Sequence, residues 1–531
     1  MTASGAAAAT AAGAAPRLRT RLRPSAVTAV IITATLLAVA LRIYDLTRPG
    51  YLFGISEYDD GTDFGSAIRL VHGGVPYHDF IMVQPPGITL IMFPVALITK
   101  GMGTITGMAV ARVVTALASA AAVPLAGLLT RHRGFVAVLV SCGVLAIYPD
   151  SIMAARTVLL EPWLVLFCLL GALAVFDGDR VATGRRLLLG GVLFGLAGAV
   201  KVWAILPVAV ILVLTARRPR QAAVYVGGVA LGFCVAVLPF ALTAPTTFYR
   251  SVIIAQLVRN DLVRIPQGYR LQHMLGLAHV SQLATPALVI IGIVVVVAIA
   301  AISVLGARLA HSAPPALDWF ATGTCALVVV AFLWPADFFY HYPGFLAPFL
   351  ALALALPLSR LLAALPTAGG RRWPGRVRRW TTVAAGAALV VLTVLQVAAE
   401  AHEASGVPAS EIAAVQRAIP PGACVATDQA SYTIAIDRFV STVPGCSLMI
   451  DGVGTDYALS NGRNGQTGAG RSPAVVAAWL AEFRAAKYAW LTTQETRRIP
   501  WTPALTAYFH RNFVPVSGGP PGLYARSPQA G

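Results

Sequence analysis

The sequence has few charged residues for its length. Only 12% of its 531 residues are Asp, Glu, Lys or Arg, whereas an average soluble domain carries about 25%. Hydrophobic residues make up 57% of the chain, and its mean hydropathy is +0.73. A chain with so little polar surface cannot coat a water-soluble globule. The composition therefore excludes a soluble protein and predicts an integral membrane protein.

Acidic residues are scarcer than basic ones, with 22 Asp and Glu against 40 Lys and Arg and a net charge of +18. Such an excess often indicates nucleic-acid binding, but here most basic residues lie in short runs between apolar stretches. Runs of this kind are typical of the cytoplasmic loops of membrane proteins. The charge therefore indicates membrane topology, and we expect no nucleic-acid partner.

The six cysteines have no metal-binding spacing. Cys424 and Cys446 are the only two in the C-terminal part, and an oxidising compartment would let them form a disulfide worth about 3 kcal/mol. The other four lie in apolar stretches, where small buried hydrophobic residues are expected. They are Cys142, Cys168, Cys234 and Cys325.

About eleven stretches are apolar enough to be membrane spans of roughly 20 residues, with shorter pieces where helices pair or tilt. They lie near 25–45, 106–130, 134–149, 158–176, 187–201, 203–216, 222–243, 285–306, 316–335, 342–360 and 381–399. With this odd number of spans, the basic runs all fall on the side of the N-terminus, which the positive-inside rule makes cytoplasmic. The predicted fold class is mainly α, a polytopic transmembrane helical bundle in the plasma membrane.

Three parts of the chain differ in composition. Residues 1–24 are Ala-rich and are expected to form a disordered cytoplasmic tail. Residues 25–400 form the predicted transmembrane domain, with a long first outer loop at 46–105. Residues 401–531 alternate short apolar runs with helical patterns, which predicts an extracytoplasmic α/β domain.

The first outer loop contains the densest acidic cluster of the chain. Its members are Glu57, Asp59, Asp60, Asp63 and Asp79. Neighbouring carboxylates at a membrane face repel one another, so a chain that keeps them together uses them for a cation, a proton or a hydroxyl. A solvated acidic loop is the alternative. The flanking residues favour a site, because 66–74 has the pattern of an amphipathic helix and 83–98 that of a re-entrant or surface helix.

This loop resembles that of the GT-C glycosyltransferases. The resemblance is carried by the pair Asp59 and Asp60, the segment GVPYHDF at 74–80 and the segment QPPG at 84–87, which includes Gln84. Within the class, it is closest to bacterial relatives of the dolichyl-phosphate-mannose–protein mannosyltransferases and the lipid A aminoarabinose transferases, the glycosyltransferase family 39 type.

Two further segments are similar to this group. ARTVLLEP at 155–162 resembles its second outer loop, with Arg156 and Glu161 at the membrane face and Glu161 able to orient Arg156. GLAGAVKVWAILP at 195–207 resembles a helix of small residues that ends in a Lys-x-Trp element containing Lys201.

The resemblance implies transfer of a sugar, mannose or a related hexose or pentose, from a polyprenyl-phosphate carrier. The acceptor would be a hydroxyl of a protein, glycan or lipid on the outer side, and the anomeric carbon would be inverted. The general base would be Asp59, with Asp60 second and Glu57 third. The mannosyltransferases usually carry Asp-Glu where this chain has Asp-Asp, so the division of labour between the two stays open.

The phosphate that leaves needs fixed cations at the membrane surface. Arg156 and Lys201 are predicted for this role, with Arg259, Arg264 and Arg270 of the fourth outer loop as further candidates. Snorkelling to the headgroups is the alternative for Arg156. His341 and Tyr342 are expected to contact the phosphate or the sugar, although an interfacial aromatic belt also accounts for the tyrosine. A divalent metal is possible, and no other cofactor is predicted.

A transporter or flippase of lipid-linked intermediates is the second hypothesis, since such proteins also combine many spans with intramembrane charge. Internal repeats and Gly/Pro-broken helices in matching halves, which are typical of transporters, are not evident in the sequence. The acidic cluster also lies in a loop rather than at mid-membrane depth. Both observations favour the enzyme.

Overall fold

The computed structural model describes residues 24–257, 264–280, 283–365, 373–401, 406–446, 449–462, 468–492 and 498–528. Most of them are helical, and a bundle of apolar helices is followed by a small α/β domain. The mainly α fold class is therefore confirmed. The predicted cytoplasmic tail lies outside the described residues except for its last position, Pro24.

The helices of the bundle follow the apolar runs of the sequence. In the first part they are α1 (Pro24–Leu46), α2 (Tyr58–Val71), α3 (Gly87–Ala96), α4 (Thr99–Met102), α5 (Thr104–Thr130), α6 (Phe135–Ile147), α7 (Pro149–Met153), α8 (Leu160–Val175) and α9 (Arg185–Val200). A two-stranded hairpin, β1 (Phe176–Asp177) and β2 (Arg180–Val181), joins α8 to α9.

The second part of the bundle continues in the same way. Its helices are α10 (Ile205–Thr215), α11 (Pro219–Ala241), α12 (Pro245–Phe248), α13 (Ala255–Leu257), α14 (Gln267–Met274), α15 (Thr285–Leu309), α16 (Ala316–Leu333), α17 (Pro343–Ala364) and α18 (Trp373–Glu400). The six residues between α12 and α13, Tyr249–Ile254, form a π-helical turn.

Each of the predicted spans is helical, but fewer are long enough to cross a membrane alone. Within the described ranges, seven helices meet the length and hydropathy required, and a bent helix pair, Phe135–Ile147 and Pro149–Arg156, would make an eighth. Apolar runs do not reveal where the backbone bends. The bent pair turns by 56° at Tyr148, and Lys201 adopts an extended conformation that separates α9 from α10.

Helices α9 and α11 pack with their backbones in contact. A Cβ atom at Gly195 would lie 2.2 Å from the carbonyl oxygen of Val229, and one at Gly232 would lie 2.1 Å from that of Val192. Small residues allow such an approach between membrane helices, whose packing depends on close van der Waals contact. This packing fixes the C-terminal end of α9, which leads into Lys201.

The C-terminal part forms the predicted α/β domain. Its sheet has the order β3-β4-β6-β5, with β3 and β4 parallel and the other pairs antiparallel. The strands are β3 (Val425–Ala426), β4 (Tyr488–Trp490), β5 (Phe513–Pro515) and β6 (Leu523–Arg526). The helices are α19 (Ala409–Ala418), α20 (Ala430–Ala435), α21 (Gly452–Ser460), α22 (Pro473–Ala485) and α23 (Pro503–Asn512).

Buried aromatic residues hold this domain together. Trp479 and Phe483 of α22 pack with Phe509 of α23 and Phe513 of β5 in one hydrophobic cluster. Cys424 and Cys446, the pair singled out by the sequence, are joined by a disulfide with their Cα atoms 5.7 Å apart. The segment closed by this bridge contains α20, which packs against α2 of the first outer loop.

Candidate active site

The acidic cluster is arranged by the first turn of α2. Glu57 caps the helix, and its carboxylate accepts a hydrogen bond from the Tyr58 N–H at 2.8 Å. Asp59 and Asp60 follow in the first turn, where a carboxylate is favoured by the helix dipole. Because successive side chains of a helix point in different directions, these carboxylates have different surroundings.

Asp60 is completely buried and tied to the bundle. One of its oxygens accepts hydrogen bonds from both the Nε and the Nη2 of Arg112, with the Nε at 3.0 Å. The other oxygen accepts from the Val158 N–H at 2.7 Å. Arg112 also donates to the carbonyls of Tyr51, Leu52 and Gly54. Asp60, expected as the second base, thus has no oxygen left for a substrate, and the pair ties α2 and the preceding loop to α5.

Glu57 is held from the other side of the site. The hydroxyl of Tyr340 donates a hydrogen bond to its Oε2 at 2.8 Å. Burial raises the pKa of Glu57, and the nearby charge of Asp59 raises it further. Glu57 therefore fixes the helix start with both carboxylate oxygens already bonded.

Asp59 differs from both neighbours because its side chain is 48% exposed. The Nε2 of His341 lies 3.9 Å from its Oδ2. The Nδ1 of the same imidazole lies 3.0 Å from the Oε2 of Glu161, and the Nζ of Lys201 donates to the Oε1 of Glu161 at 2.6 Å. Asp59, His341, Glu161 and Lys201 therefore form a continuous line of charged groups from the surface into the bundle.

The inner end of this line is buried between aromatic rings. The Lys201 Nζ lies 3.7 Å from the ring centroid of Trp203 and 4.6 Å from that of Tyr342. These rings favour a cation over their faces. The QPPG segment also contacts this region, since a Cβ at Gly87 would lie 2.4 Å from the carbonyl oxygen of Ala199, just before Lys201.

The proton on His341 is favoured by its neighbours. Burial alone would lower the pKa of His341, but the carboxylate of Glu161 outweighs it and raises the pKa of the imidazole above its usual value. The imidazole stands between two carboxylates, Asp59 and Glu161, and both favour its protonated form. An interfacial aromatic belt does not account for a histidine here, whereas a place between two carboxylates does.

Arg156 does not have the partner expected from the sequence. Its Nη1 lies 3.6 Å from the Oδ1 of Asp45, and its guanidinium lies over the ring of Tyr51 at 4.3 Å. Glu161, predicted to orient Arg156, instead contacts Lys201 and His341. The contact with Glu161 was expected because the two residues are five positions apart, close to one helical turn. Arg156 instead ends a 3₁₀ turn before α8, and this turn directs its side chain toward Asp45.

The remaining predicted residues lie at the edges of this arrangement. Gln84 is half-buried, and its backbone carbonyl accepts a hydrogen bond from the Tyr77 hydroxyl at 2.6 Å. Arg259 lies outside the described residues. Arg270 of the same outer segment is buried and donates to backbone carbonyls of Ile265 and Phe332.

Sequence reasoning missed Arg112, and it named Asp63 only as a member of the acidic cluster, without a role in the site. Arg112 lies within a predicted span, and a lone arginine in an apolar run was a signal that could have found it. Asp63 lies one helical turn after Asp59 and is buried, with its Oδ2 unpartnered. Burial and then the charge of Asp59 hold the pKa of Asp63 well above its usual range.

A divalent metal is not supported by the arrangement of these side chains. Among the residues that the structure describes, no group of three or more His, Cys, Asp or Glu side chains is placed to hold a metal ion. The carboxylates of Glu57, Asp60 and Glu161 are already bonded to Tyr340, Arg112 and Lys201. We therefore derive no step that involves a metal.

Comparison with solved structures identifies the class of the fold. ArnT from Cupriavidus metallidurans in the apo state matches with a TM-score of 0.53 and 15% identity, over 88% of this chain and 94% of that one. The same protein bound to undecaprenyl phosphate matches with a TM-score of 0.52 and 15% identity, over 78% and 85%. An oligosaccharyltransferase from Archaeoglobus fulgidus matches with a TM-score of 0.52 and 14% identity, over 87% and 68%.

The sequence comparison is consistent with this fold. Residues 83–335 match the sequence model of Glycosyltransferase family 87. No curated protein matches the chain in sequence. The structure therefore has the fold of GT-C membrane glycosyltransferases, as the motifs of residues 57–87 predicted, and the match of residues 83–335 to a glycosyltransferase family agrees with this fold.

Proposed function

We propose that this enzyme transfers a sugar from a polyprenyl-phosphate carrier to a hydroxyl on the extracytoplasmic side of the plasma membrane, with Asp59 as the general base. The observation that carries the proposal is the exposure of Asp59. Its neighbours Glu57 and Asp60 have their oxygens bonded within the protein, whereas Asp59 is 48% exposed at the edge of the charged line. It is thus the carboxylate of this turn that an acceptor hydroxyl can reach.

The reaction we propose is a single displacement at the anomeric carbon. The acceptor oxygen forms a bond to this carbon while the bond to the phosphate oxygen breaks, and the electron pair stays on the phosphate. The proton of the hydroxyl passes to the carboxylate of Asp59. A displacement from the opposite face inverts the anomeric carbon.

The leaving phosphate gains negative charge in this step, and fixed cations stabilise it better than bulk water. Lys201 and His341 share the single carboxylate of Glu161, so protonation of the imidazole gives this group a net positive charge beside Asp59. ArnT from Cupriavidus metallidurans, a similar fold, binds undecaprenyl phosphate, which supports a lipid-phosphate donor here. Arg156, at the same membrane face, is a second cation for the phosphate, and Gln84 and Tyr342 border the same region.

The proposed side of the membrane follows from the charges at the two ends of the bundle. Arg133 and the β1–β2 hairpin lie at the end of α5 remote from Arg112 and the acidic cluster. Basic connections favour the cytoplasm. The acidic cluster and the C-terminal domain would then face outward.

The test is transfer of radiolabel from a panel of polyprenyl-phosphate sugars to membrane, glycan and protein fractions. Wild-type enzyme should move one label, and Asp59→Asn should lower the rate by a factor of about 10² to 10⁴, the usual contribution of a general base. If the variant retained the wild-type rate, Asp59 would not be the general base.

Asp177 provides a matched control. It lies in the β1–β2 hairpin, away from the acidic cluster, its side chain is 77% exposed, and its carboxylate lies 3.0 Å from the Nη1 of Arg186. Asp177→Asn should therefore leave transfer unchanged. A transporter or flippase would instead move the intact lipid-linked sugar across vesicles without separating sugar from lipid, and that result would contradict the proposed enzyme.

A further inference from the structure

The start of the catalytic helix is bonded to the C-terminal domain as well as to the bundle. The backbone carbonyl of Glu57 accepts hydrogen bonds from the Gln429 Nε2 and the Ser431 Oγ, both at 2.8 Å. Gln429 and Ser431 lie at the N-terminal end of α20. The peptide between Glu57 and Tyr58 is therefore held by a domain that lies more than 360 residues further along the chain.

Among the residues that the structure describes, the hydroxyl of Tyr58, next to Asp59, has its hydrogen-bond partners in that domain. The hydroxyl donates to the Oδ1 of Asp451 at 3.0 Å and accepts from the Val453 N–H at 3.0 Å. The guanidinium of Arg498 lies over the Tyr58 ring at 4.7 Å. The ring is thus fixed at its edge and its face.

These contacts are linked to one another. The Nη1 of Arg498 donates to the Oε1 of Gln429 at 2.7 Å, and Gln429 is the residue that bonds the Glu57 carbonyl. Asp451 also caps α21 by accepting from the Gly454 N–H at 2.6 Å. The groups around Tyr58 are therefore themselves oriented by the domain.

The helices approach too closely for a side chain between them. A Cβ atom at Gly61 would lie 2.1 Å from the backbone nitrogen of Ser431. The disulfide Cys424–Cys446 closes the segment that contains Gln429 and Ser431. This cross-link restricts the segment on which α2 rests.

From these contacts we propose that the C-terminal domain positions the general base. Tyr58 is a positioning residue, and the disulfide-closed segment 424–446 is the surface on which the first turn of α2 is aligned. This inference rests on the proposed function of Asp59. A small error in the placement of a reacting group is costly, since a 1 Å displacement can reduce a rate by about 10²-fold.

The test compares Tyr58→Phe with Tyr508→Phe in the full chain. Tyr58→Phe keeps the ring but removes the two hydrogen bonds, and we expect kcat per folded molecule to fall roughly tenfold, with the KM for the lipid donor unchanged. Tyr508 lies in α23, where its hydroxyl accepts from Arg526 at 3.2 Å, and Tyr508→Phe should leave kcat unchanged. If Tyr58 had only a structural role, Tyr58→Phe would lower the folded fraction and leave kcat per folded molecule unchanged. That result would overturn the proposal.

A second pair tests the helix contact. Gly61→Ala places its Cβ against the Ser431 backbone and should lower kcat, whereas Gly101→Ala of α4 meets no atom within 4 Å and should be silent. Equal activities of the two variants would contradict the alignment of α2 by α20.

A third measurement does not depend on turnover. In an Asp59→Cys variant, the rate of reaction with a water-soluble maleimide reports the placement of this side chain. Adding Tyr58→Phe should change that rate severalfold, whereas adding Tyr508→Phe should not, and identical rates would overturn the inference. If Asp59→Asn retained full transfer while Tyr58→Phe changed the maleimide rate, the assignment of the base would fail and the positioning of α2 would stand.

Discussion

Two charged clusters lie at opposite ends of α5, and their different composition separates a site from a structural contact. At one end, Glu57, Asp60 and Glu161 are bonded to Tyr340, Arg112 and Lys201, and Asp59 is left half exposed. At the other end, Arg133 contacts both Asp179 at 2.7 Å and Asp318 at 2.8 Å, and Arg360 lies 3.6 Å from Asp318. We call these the acidic end and the basic end. Arg112 and Arg133 are 21 residues apart (133 − 112), so the two clusters are separated by roughly 30 Å along the helix.

Pairing, rather than the presence of charge, distinguishes the two ends. At the basic end Asp179 contacts His132 and Arg133, and Asp318 contacts Arg133 and Arg360, so both carboxylates join separate elements of the bundle. At the acidic end a carboxylate is left over after the pairs are made. A buried polar group needs its partners, whereas a group meant for a substrate must keep an open atom.

The largest effect on stability is expected from the Arg112–Asp60 pair, which is the structural contact of the acidic end. Arg112→Met would leave Asp60 as a buried charge without its partner and would remove the donors to three backbone carbonyls. Breaking a buried pair in this way costs about 3–5 kcal/mol of unfolding free energy. A large fall in the thermal midpoint in detergent is expected, and an unchanged midpoint would show that the pair is not needed for the fold.

Effects of intermediate size are expected from one substitution at each end. The substitution at the basic end should lower stability, and the one at the acidic end should lower kcat. Asp318→Asn at the basic end removes a charge shared by Arg133 and Arg360 and should cost about 1–3 kcal/mol of stability while leaving kcat per folded molecule unchanged. Glu161→Gln at the acidic end should lower kcat, because Lys201 and His341 lose the carboxylate that orients them. Thermal midpoints and kcat measured on both variants check this difference between the two ends. Equal losses of kcat in the two variants would contradict it.

The smallest effect concerns pH. The pKa of His341 is raised in the folded protein, so the native state holds this proton more tightly than the unfolded chain. Its contribution to stability is complete below about pH 6.5 and is lost as the pH rises through the higher native pKa. The difference in thermal midpoint between wild type and His341→Gln should therefore shrink at alkaline pH, and a difference that grows with pH would contradict the charged imidazole.

Several parts of the site could be predicted from the sequence because they depend on local pattern. Asp59 follows the first span in a motif shared with GT-C enzymes, and Lys201 interrupts an apolar run. Arg156 illustrates where this reasoning fails, since a spacing along the chain did not give its partner, Asp45. Asp60 was expected as the second candidate for the general base, but helix geometry turns its side chain toward Arg112.

The sequence by itself determined the membrane bundle, the GT-C fold and the C-terminal α/β domain, because hydrophobic periodicity and short motifs depend on residues close together in the chain. Only the tertiary structure decided which carboxylate stays open, since that depends on partners such as Arg112 and Tyr340 that lie far away in the sequence. The contact of Tyr58 with Asp451 was decided in the same way. Burial and pairing are properties of the packed molecule, and they select one aspartate from an acidic cluster.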